Sequence, residues 1–372
     1  MSERRRIGVL TSSRADYGIY KPLLLALSKS QQFDLIVICF GMHLLEKFGL
    51  TINEIKQDKF GEIITVGALS EGDTKSDVVK NYGNTVKNFH EVWDNNHYDL
   101  VFALGDRYEM SAAVQSTIPY EIKVAHIHGG ETTLGAIDNI YRHQITLAAT
   151  YHFPSTDYFG KKIAKITGTN ENIFPVGSIS LDGVDHETIP FWNDVADRFA
   201  IPKSKSYVLV TVHPETVNSQ VNSRYATVIG DTLLNIANDF HIVITMPNAD
   251  TTASSYRKKF RELKQAEPNS FSLVESFGRQ NYFSAMKNAE YLLGNTSSGI
   301  IEAASFGKFV INVGDRQKGR LRSDNVIDVP FDQNQILISH KKLIKRKGYT
   351  GGNKYHKPNT VSNIIKIINE KL

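Results

Sequence analysis

At 372 residues the chain exceeds one ordinary hydrophobic core, so two domains are expected. A hydrophobic content of 41% beside 22% charged residues is that of a soluble globular protein, with no fibrous or low-complexity character. The formal charge of +4 favours encounter with an anionic metabolite, while the basic runs (Arg4-Arg-Arg6 and Lys341 to Lys347) lack the interleaved aromatics of a nucleic-acid groove.

The N-terminus, Met1 to Arg6, lacks the apolar stretch of a signal peptide, and no run of about eighteen apolar residues follows, so a cytoplasmic protein without a membrane partner is expected. Residues 7–10 read as a short buried strand, followed after a turn by a helix over about 17–28 with Leu23, Leu24 and Leu27 on its core face. A second strand at 35–40 carries the single cysteine, Cys39, which is expected to be a buried packing residue and argues against disulfides and thiolate metal clusters. A third strand at 100–104 leads into a helix over 110–116; a fourth lies at 124–127 and a fifth at 151–154. Such alternation predicts a parallel sheet with helices on both faces. After residue 178 the pattern restarts with strands at 207–212, 241–245, 271–274, 291–293 and 309–313, and helical patterns near 221–238, 252–265, 281–288 and 298–306. The expectation is an α/β chain of two doubly wound domains, 1–178 and 179–358, with a closing helix at 359–372 packing back on the first.

In open parallel sheets ligands bind beyond the carboxyl ends of the strands, and polar clusters recur at those ends here. Tyr291-Leu-Leu-Gly-Asn-Thr-Ser-Ser-Gly-Ile-Ile-Glu302 runs from an apolar strand through small hydroxyl residues and glycine into a helical pattern. Free backbone N–H groups and the helix dipole suit a phosphate there, and Glu302, a turn into the helix, suits a ribose diol. An ordinary serine N-cap explains the same letters less fully. Thr11-Ser-Ser-Arg-Ala-Asp-Tyr-Gly18 places Arg14 where it can reach a phosphate, yet contains neither a dinucleotide fingerprint nor a Walker loop. Leu104-Gly-Asp-Arg-Tyr-Glu109 sets Asp106 at a strand end, as a helix cap or a catalytic carboxylate.

Ala125-His-Ile-His-Gly-Gly-Glu131 places His126 and His128 on one face of a strand, with Glu131 beyond a double glycine. Acid/base work on a sugar fits this better than a metal, for no further ligand cluster accompanies it. Asp138 and Arg142, four apart on a helix that also carries His143, would pair locally. Thr211-Val-His-Pro-Glu215 offers His213 to a diphosphate, and Pro247-Asn-Ala-Asp250 and Gly314-Asp-Arg-Gln-Lys-Gly-Arg320 are two further polar loops after strands.

Taken in order, these motifs resemble the hydrolysing UDP-N-acetylglucosamine 2-epimerases over nearly the whole chain. The resemblance implies a GT-B-type fold, with two Rossmann-like domains and the active site in the cleft between them. It implies a UDP-sugar substrate, release of free N-acetylmannosamine or a relative for sialic-acid-type synthesis, and a homodimer or higher homo-oligomer. The positions matching catalytic ones are Asp106, Glu131 and Asp138, with His128 where some relatives carry Glu, so acid and base remain to be divided among the four. Those matching nucleotide- and substrate-binding positions are Arg14, Arg142, His143, His213, Asn248, Ser297, Ser298, Gly299, Glu302 and Arg316. The G-T-R-P-E opening of the non-hydrolysing branch is replaced by Ser12-Ser-Arg-Ala-Asp16, which favours the hydrolysing one. Elimination of UDP to a glycal and its hydration need no cofactor and no metal. A UDP-2,4-diacetamido-2,4,6-trideoxy-glucose substrate, a GT-B glycosyltransferase and a nucleotide-sugar-binding protein without catalysis remain as alternatives.

Overall fold

The computed structural model describes residues 4–372 apart from 68–69, 71, 73, 135–136, 185–188, 216–218 and 248–252. The chain divides into two compact units: residues 1–131, 138–185 and 355–372 form the first, and 132–137 with 186–354 the second. The division therefore falls after 185 and before 355, where the sequence pattern set it at 178 and 358.

In the first unit β1 (Arg5–Thr11), β2 (Phe33–Cys39), β3 (Glu62–Thr65), β4 (Leu100–Leu104), β5 (Val124–Ile127) and β6 (Tyr151–Phe153) form one parallel sheet in the order β3-β2-β1-β4-β5-β6. Helices α1 (Arg14–Lys29), α2 (Ile52–Asp58), α3 (Lys75–Asn95), α4 (Tyr108–Gln115), α5 (Asp138–Ala148) and α6 (Asp157–Thr167) complete the connections. Every residue of β4 and β5 is buried because helices cover both faces, which is why these strands read as continuous apolar runs. The strand order reverses between β1 and β4, so their carboxyl ends diverge and leave a crevice at that switch point.

The second unit repeats the plan. It contains α7 (Trp192–Arg198), β7 (Tyr207–Thr211), α8 (Asn222–Ile236), β8 (His241–Thr245), α9 (Ser254–Ala266), β9 (Phe271–Val274) and α10 (Arg279–Asn288). There follow β10 (Leu292–Gly294), α11 (Ser297–Ile301), β11 (Val310–Val313), β12 (Val326–Val329) and α12 (Gln333–Leu343). The sheet order is β12-β11-β10-β7-β8-β9, with the switch between β7 and β10.

The final helix, α13 (Thr360–Lys371), returns to the first unit, where Val361, Ile364 and Ile368 share a core with Leu23, Leu24 and Leu27 of α1. Cys39 lies in the same core, and burial pushes its thiol up to about 12, so it packs as a small apolar side chain. No described helix is long and apolar enough to cross a membrane.

Two edge strands, β3 and β12, are not marked in the sequence. As sheet edges they keep much of their surface half-buried or exposed, and Glu62 and Asp328 interrupt their apolar character. Helix α1 starts at Arg14 and not near Tyr17, because Asp16 organises the turn at its N-terminus. The pattern expected as one helix over 298–306 is instead a five-residue helix, α11, followed by a 3₁₀ turn at Ala303–Phe306. Glu302 stands at their junction.

Candidate functional site

At the end of β1 the carboxylate of Asp16 gathers the turn. It accepts from Thr11 Oγ1, Ser12 N, Ser12 Oγ, Ser13 N and Tyr17 N at 2.7 to 2.9 Å. Beneath it His43 is fully buried, with Nε2 at 2.9 Å from Thr11 Oγ1 and Nδ1 at 2.7 Å from Thr51 Oγ1; burial lowers its pKa and keeps the ring neutral. These contacts leave Arg14 exposed at the first residue of α1. Asp16 was not singled out from the sequence; its place three residues after Ser13, a capping-box spacing, is the signal that could have found it.

The ends of β4 and β5 meet through Arg142 of α5. Its guanidinium, 2% exposed, donates Nη2 to Asp106 Oδ2 and Nη1 to the carbonyl of His128 at 2.7 Å. Asp138 opens the same helix one turn earlier and is half-buried, while Asp106 and the carbonyl of His128, both acceptors of Arg142, lie on two other loops.

The two histidines do not share a strand face. His126 is in β5, with Nε2 donating to Gly105 O at 3.0 Å, and burial pushes its pKa down to about 3. His128 lies past the strand end with φ of +62°, a left-handed conformation costly for a non-glycine residue, which reaims its ring. His128 Nδ1 lies 3.1 Å from Glu131 Oε1, and its Nε2 3.2 Å from Ser178 Oγ. Ser155 Oγ donates to Glu131 at 2.9 Å, and Ser178 Oγ lies 2.9 Å from Ser180 Oγ. Gly130 permits the turn, since a Cβ there would meet Phe159 O at 2.5 Å and φ is +72°. Asp106, His128, Glu131 and Arg142 thus form one connected constellation beyond the carboxyl ends of β4 and β5, with Asp106 its most exposed carboxylate at 26%. His143, one residue beyond Arg142, is half-buried with its pKa lowered by burial, and its Nε2 lies 3.3 Å from Asn139 Nδ2.

The second unit assembles its own group. His213 follows β7; burial and then the charge of Arg316 push its pKa down to about 3, so it presents a neutral imidazole. Arg316 Nη1 donates to Pro214 O at 2.9 Å. At the end of β10 the hydroxyl of Thr296 accepts the N–H of Ser298, and Ser298 Oγ lies 2.9 Å from the hydroxyl of Tyr282, itself 3.4 Å from Thr211 Oγ1. Tyr282 carried no sequence signal, because it reaches the turn from α10. Gly299 lets the short helix pack on β11: a Cβ there would lie 3.0 Å from Val310 Cγ1. Glu302 is 8% exposed. His213, Ser297, Ser298, Gly299, Glu302 and Arg316 therefore lie on the loops after β7, β10 and β11, which are neighbours in the sheet. Asn248 lies outside the described residues.

The first constellation can hold and move protons; the second offers hydroxyls, main-chain N–H groups and a neutral imidazole to an anion. Two Rossmann-like domains with these groups beyond the carboxyl ends of their strands define an α/β chain of the GT-B type. A family model described as UDP-N-acetylglucosamine 2-epimerase matches residues 25–369, and the chain belongs to that family. It is 33% identical to a UDP-N,N'-diacetylbacillosamine 2-epimerase (hydrolyzing) of Legionella pneumophila, over 92% of this chain and 89% of that one. It is 30% identical to the polysialic acid biosynthesis protein P7 of Escherichia coli, over 98% and 94%. The structure of UDP-GlcNAc 2-epimerase from Neisseria meningitidis bound to UDP-GlcNAc superposes with a TM-score of 0.79 at 18% identity, covering 98% of this chain and all of that one, a likeness of fold.

Proposed function

We propose that the protein is a hydrolysing UDP-sugar 2-epimerase that converts UDP-N-acetylglucosamine and water to free N-acetylmannosamine and UDP. The observation that carries this reading is the connection of Asp106, Arg142, His128 and Glu131, an acid/base set assembled beyond the carboxyl ends of β4 and β5. His213 and the Ser297–Gly299 turn would hold the diphosphate, and Glu302 the ribose.

A base removes the C2 proton as the C1–oxygen bond to the diphosphate breaks; the C–H electron pair becomes the C1–C2 double bond, and UDP leaves with the oxygen. Because that proton is weakly acidic, departing charge must be met by donors already in place. Water then adds to the glycal at C1, and C2 receives a proton on the opposite face. Asp106 and Asp138, the more accessible carboxylates, suit direct contact with the sugar. Glu131, 1% exposed behind His128, suits orienting that ring and stabilising its charge when it takes up a proton. Configuration changes by proton removal and return, so no redox step enters.

A second reading keeps the reaction and changes the sugar to UDP-2,4-diacetamido-2,4,6-trideoxy-glucose; the 33% identity to the Legionella pneumophila enzyme favours it. Incubating each nucleotide sugar in heavy water under NMR observation tests both. The expected product is a free 2-epimer carrying deuterium at C2, from whichever sugar is the substrate. Transfer to an acceptor with hydrogen retained at C2 would make the protein a glycosyltransferase, and binding without turnover would remove catalysis altogether.

A further inference from the structure

Asn295 sits in the turn whose sequence suits a phosphate, but both ends of its side-chain amide are used inside the fold. The residue has no exposed surface. Its Oδ1 accepts the main-chain N–H of His213 at 2.7 Å, and its Nδ2 donates to the carbonyl of His213 at 2.9 Å. The last residues paired in register between β7 and β10 are Thr211 and Gly294. Asn295 N still donates to Thr211 O at 3.1 Å, and there the main-chain contact ends. The amide then behaves as one more peptide group, offering a donor and an acceptor to the next peptide units of the diverging chain.

The tie reaches a third loop. The carbonyl of Asn295 accepts from Gln317 Nε2 at 2.9 Å, and Gln317 is 4% exposed. Its neighbour Arg316 bonds Pro214 O on the far side of His213. The polar loops after β7, β10 and β11 are thus joined around one buried asparagine. His213 has no other described main-chain anchor of this kind, so its backbone direction, and with it the aim of the imidazole, depends on that amide.

We propose that Asn295 is the positioning residue for His213, holding the imidazole where it meets the diphosphate of UDP. This rests on the proposed function, in which His213 contacts the nucleotide. A residue that only stabilises the fold would affect UDP binding whether or not the imidazole were present. A residue that acts through His213 has nothing left to position once the imidazole is gone.

The test is a double-mutant cycle read by calorimetric titration of UDP into the full-length protein. The variants are Asn295→Ala, Asn295→Asp, His213→Ala and each Asn295 change combined with His213→Ala. Asn295→Asp keeps the size and the acceptor for His213 N–H but loses the donor, so it serves if the alanine variant does not fold; any repulsion of phosphate by its charge is present in both backgrounds and cancels in the cycle. The expected result is a roughly tenfold weaker UDP Kd for Asn295→Ala alone and less than about a threefold further change in the His213→Ala background, with the loss caused by Asn295→Asp likewise smaller by at least about threefold in that background than alone. Equal losses in the two backgrounds, or none in either, would overturn the positioning role while leaving the function intact. If His213→Ala binds UDP as tightly as the unaltered protein, the contact assigned to His213 falls and the inference falls with it.

Discussion

Arg142 is a buried cation shared between the carboxylate of Asp106 and the carbonyl of His128. It therefore joins the ends of two adjacent strands and supports a left-handed residue at the second. Replacing it with methionine removes the cation and both hydrogen bonds. Because Asp106 keeps partial access to water, the expected loss of stability is about 2 kcal/mol, below the ~3–5 kcal/mol of a fully buried pair broken on one side. Turnover is expected to fall at least ~100-fold, and Arg142→Lys to recover little, since an ammonium lacks the planar fork that reaches both acceptors. Urea denaturation and steady-state kinetics measure the two effects; a fully active lysine variant would remove the forked contact from the mechanism.

Glu131 is expected to act on the chemical step and not on nucleotide affinity. Glu131→Gln preserves shape and the contact to Ser155 but withdraws the negative charge facing His128 Nδ1. The expected outcome is a kcat lowered by about two orders of magnitude, in the range of lost general acid–base assistance, with UDP affinity unchanged within ~twofold. An equal loss in UDP affinity would place Glu131 in binding.

At Gly294 the strand ends approach too closely for any side chain. A Cβ there would stand 1.9 Å from Thr211 O, with φ at +150°. Gly294→Ala must therefore spread β7 from β10 and loosen the Asn295 bridge just beyond. We expect destabilisation by more than ~3 kcal/mol, the range of overpacking combined with a strained backbone. Gly299→Ala, meeting only a valine methyl at 3.0 Å, is expected to cost about 1 kcal/mol. Chemical denaturation of the two variants side by side checks the ranking, and equal midpoints would contradict it.

Acid should unfold the protein through its buried histidines. His126 is pushed to about 3, and His152 and His241 to about 4, all by burial as the leading cause. The unfolded chain takes up these protons near pH 6.5, whereas the native state resists until pH 3 to 4. Stability is therefore complete above about pH 6.5 and falls progressively below it, each histidine adding a slope of up to ~1.4 kcal/mol per pH unit. Urea midpoints measured from pH 7.5 to 4.5 should decline steadily; a flat profile over pH 6.5 to 5 would show that these rings are not held neutral.

The alternation of strand and helix was legible wherever a strand is buried on both faces, as in β4, β5 and β7. It failed at two of the four edge strands, β3 and β12, where exposure permits Glu62 and Asp328, and held at β6 and β9, which are largely buried. Helix α3 was equally unmarked: Asn81 and Thr85 occupy its buried side along with Phe89, Val92 and Trp93, so apolar periodicity is broken in its first half. The location of the candidate residues at strand ends was readable, since the carboxyl ends of a doubly wound sheet are the only places where polar loops converge.

By itself the sequence determined two doubly wound domains, the order of the polar turns along them, and the family to which those turns belong. Only the tertiary structure decided which polar residue in each turn faces inward to hold the others. Asp106 finds Arg142 36 residues away, His128 finds Ser178 at 50, and His213 finds Asn295 at 82. Local pattern reports propensity and periodicity within a few turns of chain. A buried polar group takes its partner from whatever loop the sheet order brings beside it, and that order is a property of the folded molecule.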